Sequence, residues 1–194
     1  MISGIQNSID KKVAEVKSVW VNSDCFPNEN LAKIIARFFS ALSSGNRVAF
    51  IGNGGSASEA MHLAAEFTGR CVFDHKPLPV MCLNESQSSI TAIGNDYGFD
   101  YIFSRQVQAH LRKGDLLIAL STSGRSKNIL EALKTAVEMK VDTMLWMGDF
   151  EVDLPKVEVF KVPSNSTPRI QEVHLAWGHI IAEVIELNMD KISS

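Results

Sequence analysis

Two residues that can do chemistry together lie four positions apart in the stretch Phe50-Ile51-Gly52-Asn53-Gly54-Gly55-Ser56-Ala57-Ser58-Glu59-Ala60-Met61-His62-Leu63-Ala64-Ala65-Glu66. On a helix, that spacing puts the His62 imidazole and the Glu66 carboxylate on one face. There they can act as an acid–base pair, as two metal ligands, or as an ordinary polar patch. A second set stands near the other end of the chain. Gln171, Glu172, His174 and His179 interrupt the apolar residues Ile170, Val173, Leu175, Trp177, Ile180 and Ile181. Gln171 and His179 fall roughly on one side of a helix, about 80° apart. Polar groups on an otherwise buried helix require partners, so His62, Glu66, Gln171 and His179 form a candidate N/O site. Two histidines and a carboxylate suit zinc, whereas a glutamine oxygen is a less usual ligand. His174 lies more to the side and reads as structural.

Ser121-Thr122-Ser123-Gly124-Arg125-Ser126 is the clearest anion signal. It offers four hydroxyls, a glycine for close approach, and free N–H groups where a helix begins, and the helix end adds roughly half a positive charge. Gly52-Asn53-Gly54-Gly55 is a second tight turn, with Ser56 as the expected N-cap of the helix behind it. Neither turn matches a nucleotide-hydrolysing P-loop or a dinucleotide fingerprint, which sets ATP and NAD aside. Asn95 and Asp96 follow a glycine and can either hydrogen-bond sugar hydroxyls or cap a turn. His75 and His110 have no partner in sequence and read as surface residues.

The elements that must hold these groups follow from apolar periodicity. Helices are expected over Ile5 to Trp20 and from Asn28 or Asn30 to Leu42. Strands are expected at 47–51, 79–83, 116–120, 143–147 and 157–162, the last with the alternation of an edge strand. Between them stand the helix carrying His62 and Glu66, a short helix over 86–93 stopped at Gly94-Asn95-Asp96, one over 99–111, and one through Ile129 to Met139. A final helix covers 167–189, with Pro168 at its start. Apolar strands alternating with helices call for a parallel sheet covered on both faces, whose ligands bind at the carboxyl ends of the strands. Both polar turns, after the first and third strands, fall at that edge.

The chain has 194 residues, 45% hydrophobic and 21% charged, with a net charge of −3, which suits one domain with one core. Lysines and arginines are scattered, which argues against nucleic acid. No apolar run approaches the ~20 residues that span a membrane, and the N-terminus has no basic-then-apolar leader pattern. Cys25, Cys71 and Cys82 lack metal-type spacing and read as reduced thiols of a cytoplasmic protein. The broad apolar faces of the first two helices suggest contact with another subunit.

Taken together, Gly52 to Ala57 with His62 and Glu66, Ser121 to Ser126, and Arg169-Ile170-Gln171-Glu172-Val173-His174 with His179 resemble the sedoheptulose 7-phosphate isomerases. These form the phosphoheptose isomerase branch of the sugar isomerase (SIS) fold, and the likeness covers nearly the whole chain. It implies one SIS domain over 1–194: oligomerising helices in 1–45, then a flavodoxin-like three-layer α/β/α core in 46–194 with a five-stranded parallel sheet. It implies interconversion of sedoheptulose 7-phosphate and D-glycero-D-manno-heptose 7-phosphate, the first step towards nucleotide-activated heptose for lipopolysaccharide, capsule or other surface glycans. It also implies a homotetramer with sites at subunit interfaces and one zinc ion per subunit. Residue by residue, Glu66 would be the general base and His179 the general acid. His62, Glu66, Gln171 and His179 would hold the zinc. Asn53, Gly54, Gly55, Ser56, Glu66, Asn95, Asp96, Ser121, Thr122, Ser123, Ser126 and Gln171 would contact substrate. A tight zinc ligand is a poor free base, so the metal would orient the site or exchange ligands as substrate binds. The short stretch Gly148 to Asp153 departs from the family's glycine-rich loop. Two other readings remain: a non-catalytic SIS protein that binds the bacterial replication initiator, and a sugar-phosphate-sensing or amino-sugar domain such as N-acetylmuramic acid 6-phosphate lyase. The former lacks the histidine corresponding to His179, and the latter chains are usually longer.

Overall fold

The computed structural model describes residues 2–192, so the expected domain limits at 1 and 194 lie outside the described residues. Helices α1 (Ile2–Val21) and α2 (Asn28–Ser43) precede an alternation of β1 (Val48–Gly52), α3 (Gly55–Thr68), β2 (Val80–Cys82), α4 (Gln87–Tyr97), α5 (Ser104–His110), β3 (Leu116–Leu120), α6 (Lys127–Glu138), β4 (Asp142–Met147), β5 (Glu158–Lys161) and α7 (Thr167–Glu186). The strands form one sheet in the order β2-β1-β3-β4-β5, and every pairing is parallel. This is the flavodoxin-like order, with the chain reversing direction across the sheet between β1 and β3.

Side chains alternate across a strand, and here the alternation builds two cores. Val48 and Phe50 of β1, with Ile118 of β3 and Met144 and Trp146 of β4, pack under α2, α3 and α7. Ala49 and Ile51, with Leu117, Ala119, Leu145 and Met147, pack under α5 and α6. Every residue of β1 and β3 is buried, which explains why those strands read as apolar throughout. Phe38, Phe50 and Phe67 stack in one group, with Trp146 and Trp177 edge-on beyond Phe50. Each buried ring contributes roughly 1.5–3 kcal/mol. At the sheet edge, β5 is tied to α2 through Arg37, which pairs with both Glu158 and Asp142.

Several local expectations are corrected. Helix α4 does not stop at Gly94. It runs on to Tyr97 and ends at Gly98, whose φ of +98° supplies the left-handed terminator. The helix expected over 99–111 is a 3-10 turn, Phe99–Tyr101, followed by the shorter α5. Helix α7 ends at Glu186, and Met189–Lys191 form a separate 3-10 turn. His75 is not a surface residue: its side chain is 2% exposed and sits 3.3 Å from Glu186. His110 is exposed, as expected.

Candidate active site

The β1–β3 boundary is where neighbouring loops part, and both polar turns open into it. Gly54, at φ +56°, caps α3 without a side chain, so the helix begins at Gly55. Ser56 is therefore not the N-cap but a buried first-turn residue, its N–H bonded to the Asn53 carbonyl at 3.0 Å. A Cβ on Gly52 would strike the Ser56 carbonyl, so the turn requires glycine there. Two amide side chains hold the turn from behind. Asn84 accepts from the Gly52 N–H at 3.1 Å and donates to its carbonyl at 2.9 Å. Asn128 exchanges paired hydrogen bonds of 2.8 and 2.9 Å with Asn53. The Asn53 amide is thus largely committed to the fold. Neither Asn84 nor Asn128 stood out in the sequence, because single asparagines near turns are commonplace.

Asn53, Gly55, Ser56, Ser121, Thr122, Ser123, Ser126, Thr167 and Gln171 line one pocket of about 180 Å³ with Leu120. The structure thereby joins the two turns to the start of α7. Ser126 occupies the N-cap of α6 with its hydroxyl not engaged in capping, and the hydroxyl of Ser123 accepts from the Arg125 N–H at 3.2 Å. Gly124, at φ +65°, packs its Cα where a side chain would strike the Met147 thioether. Hydroxyls and a helix N-terminus facing a small polar pocket suit an anion of phosphate size. Thr167 was not singled out from the sequence.

The Gln171 Nε2 donates to the Ser56 Oγ at 3.3 Å, so this amide faces the pocket. About two turns further along both α3 and α7 the titratable groups converge, with His62 half-exposed. His62 Nε2 lies 2.9 Å from His179 Nε2 and 3.2 Å from Glu66 Oε1. One donor atom from each of the three residues lies within 4.8 Å of the others. Two imidazole nitrogens facing each other at that distance need a proton or a cation between them. Such a His/Glu/His group fits a divalent metal with one position left for another ligand. Asn95 and Asp96 lie elsewhere: they occupy the exposed last turn of α4, Asn95 bonds Asp96 at 2.8 Å, and neither lines the pocket.

Contact between α3 and α7 sets this geometry. Gly178 lets α7 approach Leu63, and its neighbour His179 then reaches His62. The Trp177 indole donates to the Cys25 carbonyl at 2.6 Å, which fixes the rotation of α7. His174, fully buried against Trp146 and Trp177 with neither ring nitrogen hydrogen-bonded, is held neutral: burial drives its pKa down to about 3, only partly opposed by the nearby Met147 backbone. Glu59 also escaped the sequence reading. It is 8% exposed with no hydrogen-bond partner on either oxygen, and burial pushes it up to about 7 against the nearby Ser56 hydroxyl. A larger groove of about 620 Å³ between α6 and the 154–157 segment shares no residue with the two turns or the histidine cluster.

A doubly wound parallel sheet with a small polar pocket at its switch point places the chain among the ligand-binding α/β domains. The SIS domain model matches residues 13–144, and the chain belongs to the SIS family, within it to the phosphoheptose isomerases. It is 46% identical to a phosphoheptose isomerase of Rhodospirillum rubrum over 165 residues, 84% of this chain and 87% of that one. It is 41% identical to one of Aquifex aeolicus over 180 residues, covering 92% and 93%. Among solved structures it resembles the phosphoheptose isomerase of Neisseria gonorrhoeae, with a TM-score of 0.86 and 33% identity over 94% of this chain and 99% of that one. More distant likenesses, such as a Vibrio vulnificus NanR complex at 15% identity and TM-score 0.63, concern the fold alone.

Proposed function

We propose that this chain is a sedoheptulose 7-phosphate isomerase, an aldose–ketose isomerase, in which Glu66 and His179 carry the proton transfers. The observation that carries the reading is the convergence of His62, Glu66 and His179 from opposite ends of the chain, beside the hydroxyl-lined pocket. The substrate phosphate binds at Ser121 to Ser126 against the α6 N-terminus, with Asn53 to Ser56 and Gln171 along the sugar, whereas Asn95 and Asp96 lie outside this pocket. Anchoring the phosphate fixes C1 and C2 relative to the cluster, which is the entropic part of the catalysis.

Glu66 takes a proton from C1. The electron pair forms a C1–C2 double bond as the C2 carbonyl oxygen receives a proton from His179. The resulting enediol is reprotonated at C2 while the C1 hydroxyl gives up its proton and becomes the aldehyde. No atom is gained or lost. Each proton transfer of this kind is worth roughly 10²–10⁴ in rate. His62, with Glu66, His179 and Gln171 as the remaining ligands, would hold zinc. The ion would supply Lewis-acid polarisation of a carbonyl only where one of these four ligands gives way. Gln171 would have to turn from Ser56 to serve as a ligand.

Membership of the phosphoheptose isomerases does not favour the initiator-binding or sensing alternatives. Among the described residues, no helix is long and apolar enough to cross a membrane. The half-exposed apolar stripe Ile5, Ile9, Val13 and Trp20 on α1 supports a homotetramer built through the N-terminal helices. The test is to incubate the pure protein with sedoheptulose 7-phosphate, with and without a chelator, and to follow the aldose. Turnover that falls on chelation and returns with zinc is expected. Absence of turnover in zinc-replete protein overturns the reading, and undiminished turnover in metal-stripped protein removes the metal from it.

A further inference from the structure

The pocket assigned to the substrate phosphate is polar but carries no cation. Hydroxyls, amides, backbone and one leucine make its wall, with no lysine, arginine or histidine among them. A phosphate monoester bears a charge of about −1.5 to −2 at pH 7. The N-terminus of α6 offsets roughly half a charge. The remainder finds no counter-charge in the wall.

The loop itself holds one nearby. Arg125 stands between Ser123 and Ser126, both lining residues, and follows Gly124, whose φ of +65° turns the chain. The Arg125 N–H donates to the Ser123 hydroxyl at 3.2 Å, so the backbone that carries the side chain is fixed. The side chain is not. It is exposed, and among the described residues its guanidinium has neither a hydrogen bond nor a carboxylate partner. Arg37 and Arg169, by contrast, are paired with carboxylates. The Arg125 guanidinium rests over the Phe150 ring, 5.5 Å from its centroid. That ring belongs to the segment after β4, which lies against the same loop. The Gly148 N–H donates to the Thr122 carbonyl at 3.0 Å, and a Cβ on Gly124 would stand 3.0 Å from Val152. An exposed cation–aromatic contact is weak, so the ring keeps the guanidinium beside the loop without committing it.

We infer that Arg125 is a phosphate-binding residue: its guanidinium turns from Phe150 onto the substrate phosphate, by side-chain rotation alone, and supplies the charge that the pocket wall lacks. Planar and permanently charged, it can engage two phosphate oxygens at once. Phe150 is the positioning residue behind it. This rests on the placement of the phosphate at Ser121 to Ser126. The phosphate takes no part in the proton transfers between C1 and C2, so the contact is equal in ground and transition states and acts on KM rather than kcat.

The test measures kcat, KM, melting temperature and competitive inhibition by inorganic phosphate for Arg125→Ala, Arg125→Lys, Phe150→Leu and the double variant of Arg125→Ala with Phe150→Leu. Ser126→Ala is run alongside. A hydrogen-bonded contact to a charged group is worth about tenfold or more. At low salt, Arg125→Ala should raise KM about tenfold and weaken inhibition by inorganic phosphate equally, with kcat and melting temperature unchanged. The difference should shrink as salt is added. Arg125→Lys keeps the charge without the fork and should recover part of the loss. Phe150→Leu keeps apolar bulk but removes the aromatic face. It should raise KM about threefold and add nothing in the Arg125→Ala background. An Arg125→Ala protein whose KM stays within twofold of wild type, while Ser126→Ala raises it, overturns the inference and leaves the phosphate where it is. A Phe150→Leu effect that persists undiminished without Arg125 removes Phe150 from it. If neither Arg125→Ala nor Ser126→Ala moves KM, the placement of the phosphate in this loop is itself refuted.

Discussion

Gly178→Ala tests the helix contact on which the site depends. A Cβ at this position would stand 2.6 Å from Leu63 Cδ1 and 2.9 Å from Leu63 Cγ, with Cδ2 closer still. Leu63 is fully buried between α3, α7 and the sheet, so its side chain has nowhere to swing. Overpacking of this kind costs about 1–3 kcal/mol, and contacts at these distances put it near the upper end. Alanine regains about 1 kcal/mol of helix propensity over glycine, leaving a net loss of about 2 kcal/mol. For a chain of this size that lowers the melting temperature by roughly 4–8 °C. Relief of the clash separates α3 from α7, and His179 is the next residue to Gly178, so the 2.9 Å approach of His62 and His179 widens. Zinc content after dialysis and turnover should therefore fall further than stability alone explains. Leu63→Ala in the same chain removes the clashing atoms and should restore part of the zinc retention. A Gly178→Ala protein with wild-type melting temperature and metal content would refute the claim that this contact sets the site.

Glu59→Gln should abolish a pH dependence of stability. The folded pKa of about 7 lies above the ordinary 4.5, so the stabilising, protonated form is fully present below pH 4.5 and lost as pH rises through 7. The shift corresponds to about 3 kcal/mol at most. The variant should melt higher than wild type at pH 8.5 and about equally at pH 4.5, and equal melting at both values would contradict the burial argument. Ser126→Ala removes a pocket hydroxyl that does not cap α6. It should raise KM about tenfold and leave the melting temperature unchanged, and unaltered KM would move the phosphate elsewhere.

The sequence made much of this legible because the relevant signals are local. Buried strands such as Val48–Gly52 and Leu116–Leu120 announce themselves as apolar runs, and the glycine- and serine-rich turns after them can only lie at the sheet's carboxyl edge. Helical spacing alone aligned His62 with Glu66 and Gln171 with His179. What stayed hidden depends on tertiary environment. Ser56 looked like a cap, yet Gly54 adopts the positive φ that starts α3 one residue earlier. Gly94 looked like a stop, but a Cβ there would meet only Ile102 Cγ2, at 3.7 Å; it is an unconstrained helical residue, and Gly98 ends α4. His75 and Glu186 are 111 positions apart, the difference between their numbers, and only folding buries them together. Glu59 sits among small apolar residues on α3 and gives no sign that its carboxyl loses all solvent. The wider placement of Asn95 and Asp96 on α4, outside the pocket of this chain, likewise follows from where that helix ends.

The central claim is that Glu66 and His179, brought together from α3 and α7, move the protons between C1 and C2. Turnover of sedoheptulose 7-phosphate by Glu66→Gln and His179→Gln beside wild type, with the zinc content of each protein measured, tests it most directly. Each substitution should lower kcat by at least about 10² while the subunit assembly and melting temperature persist. A Glu66→Gln protein that still forms the aldose within tenfold of the wild-type rate would contradict the account.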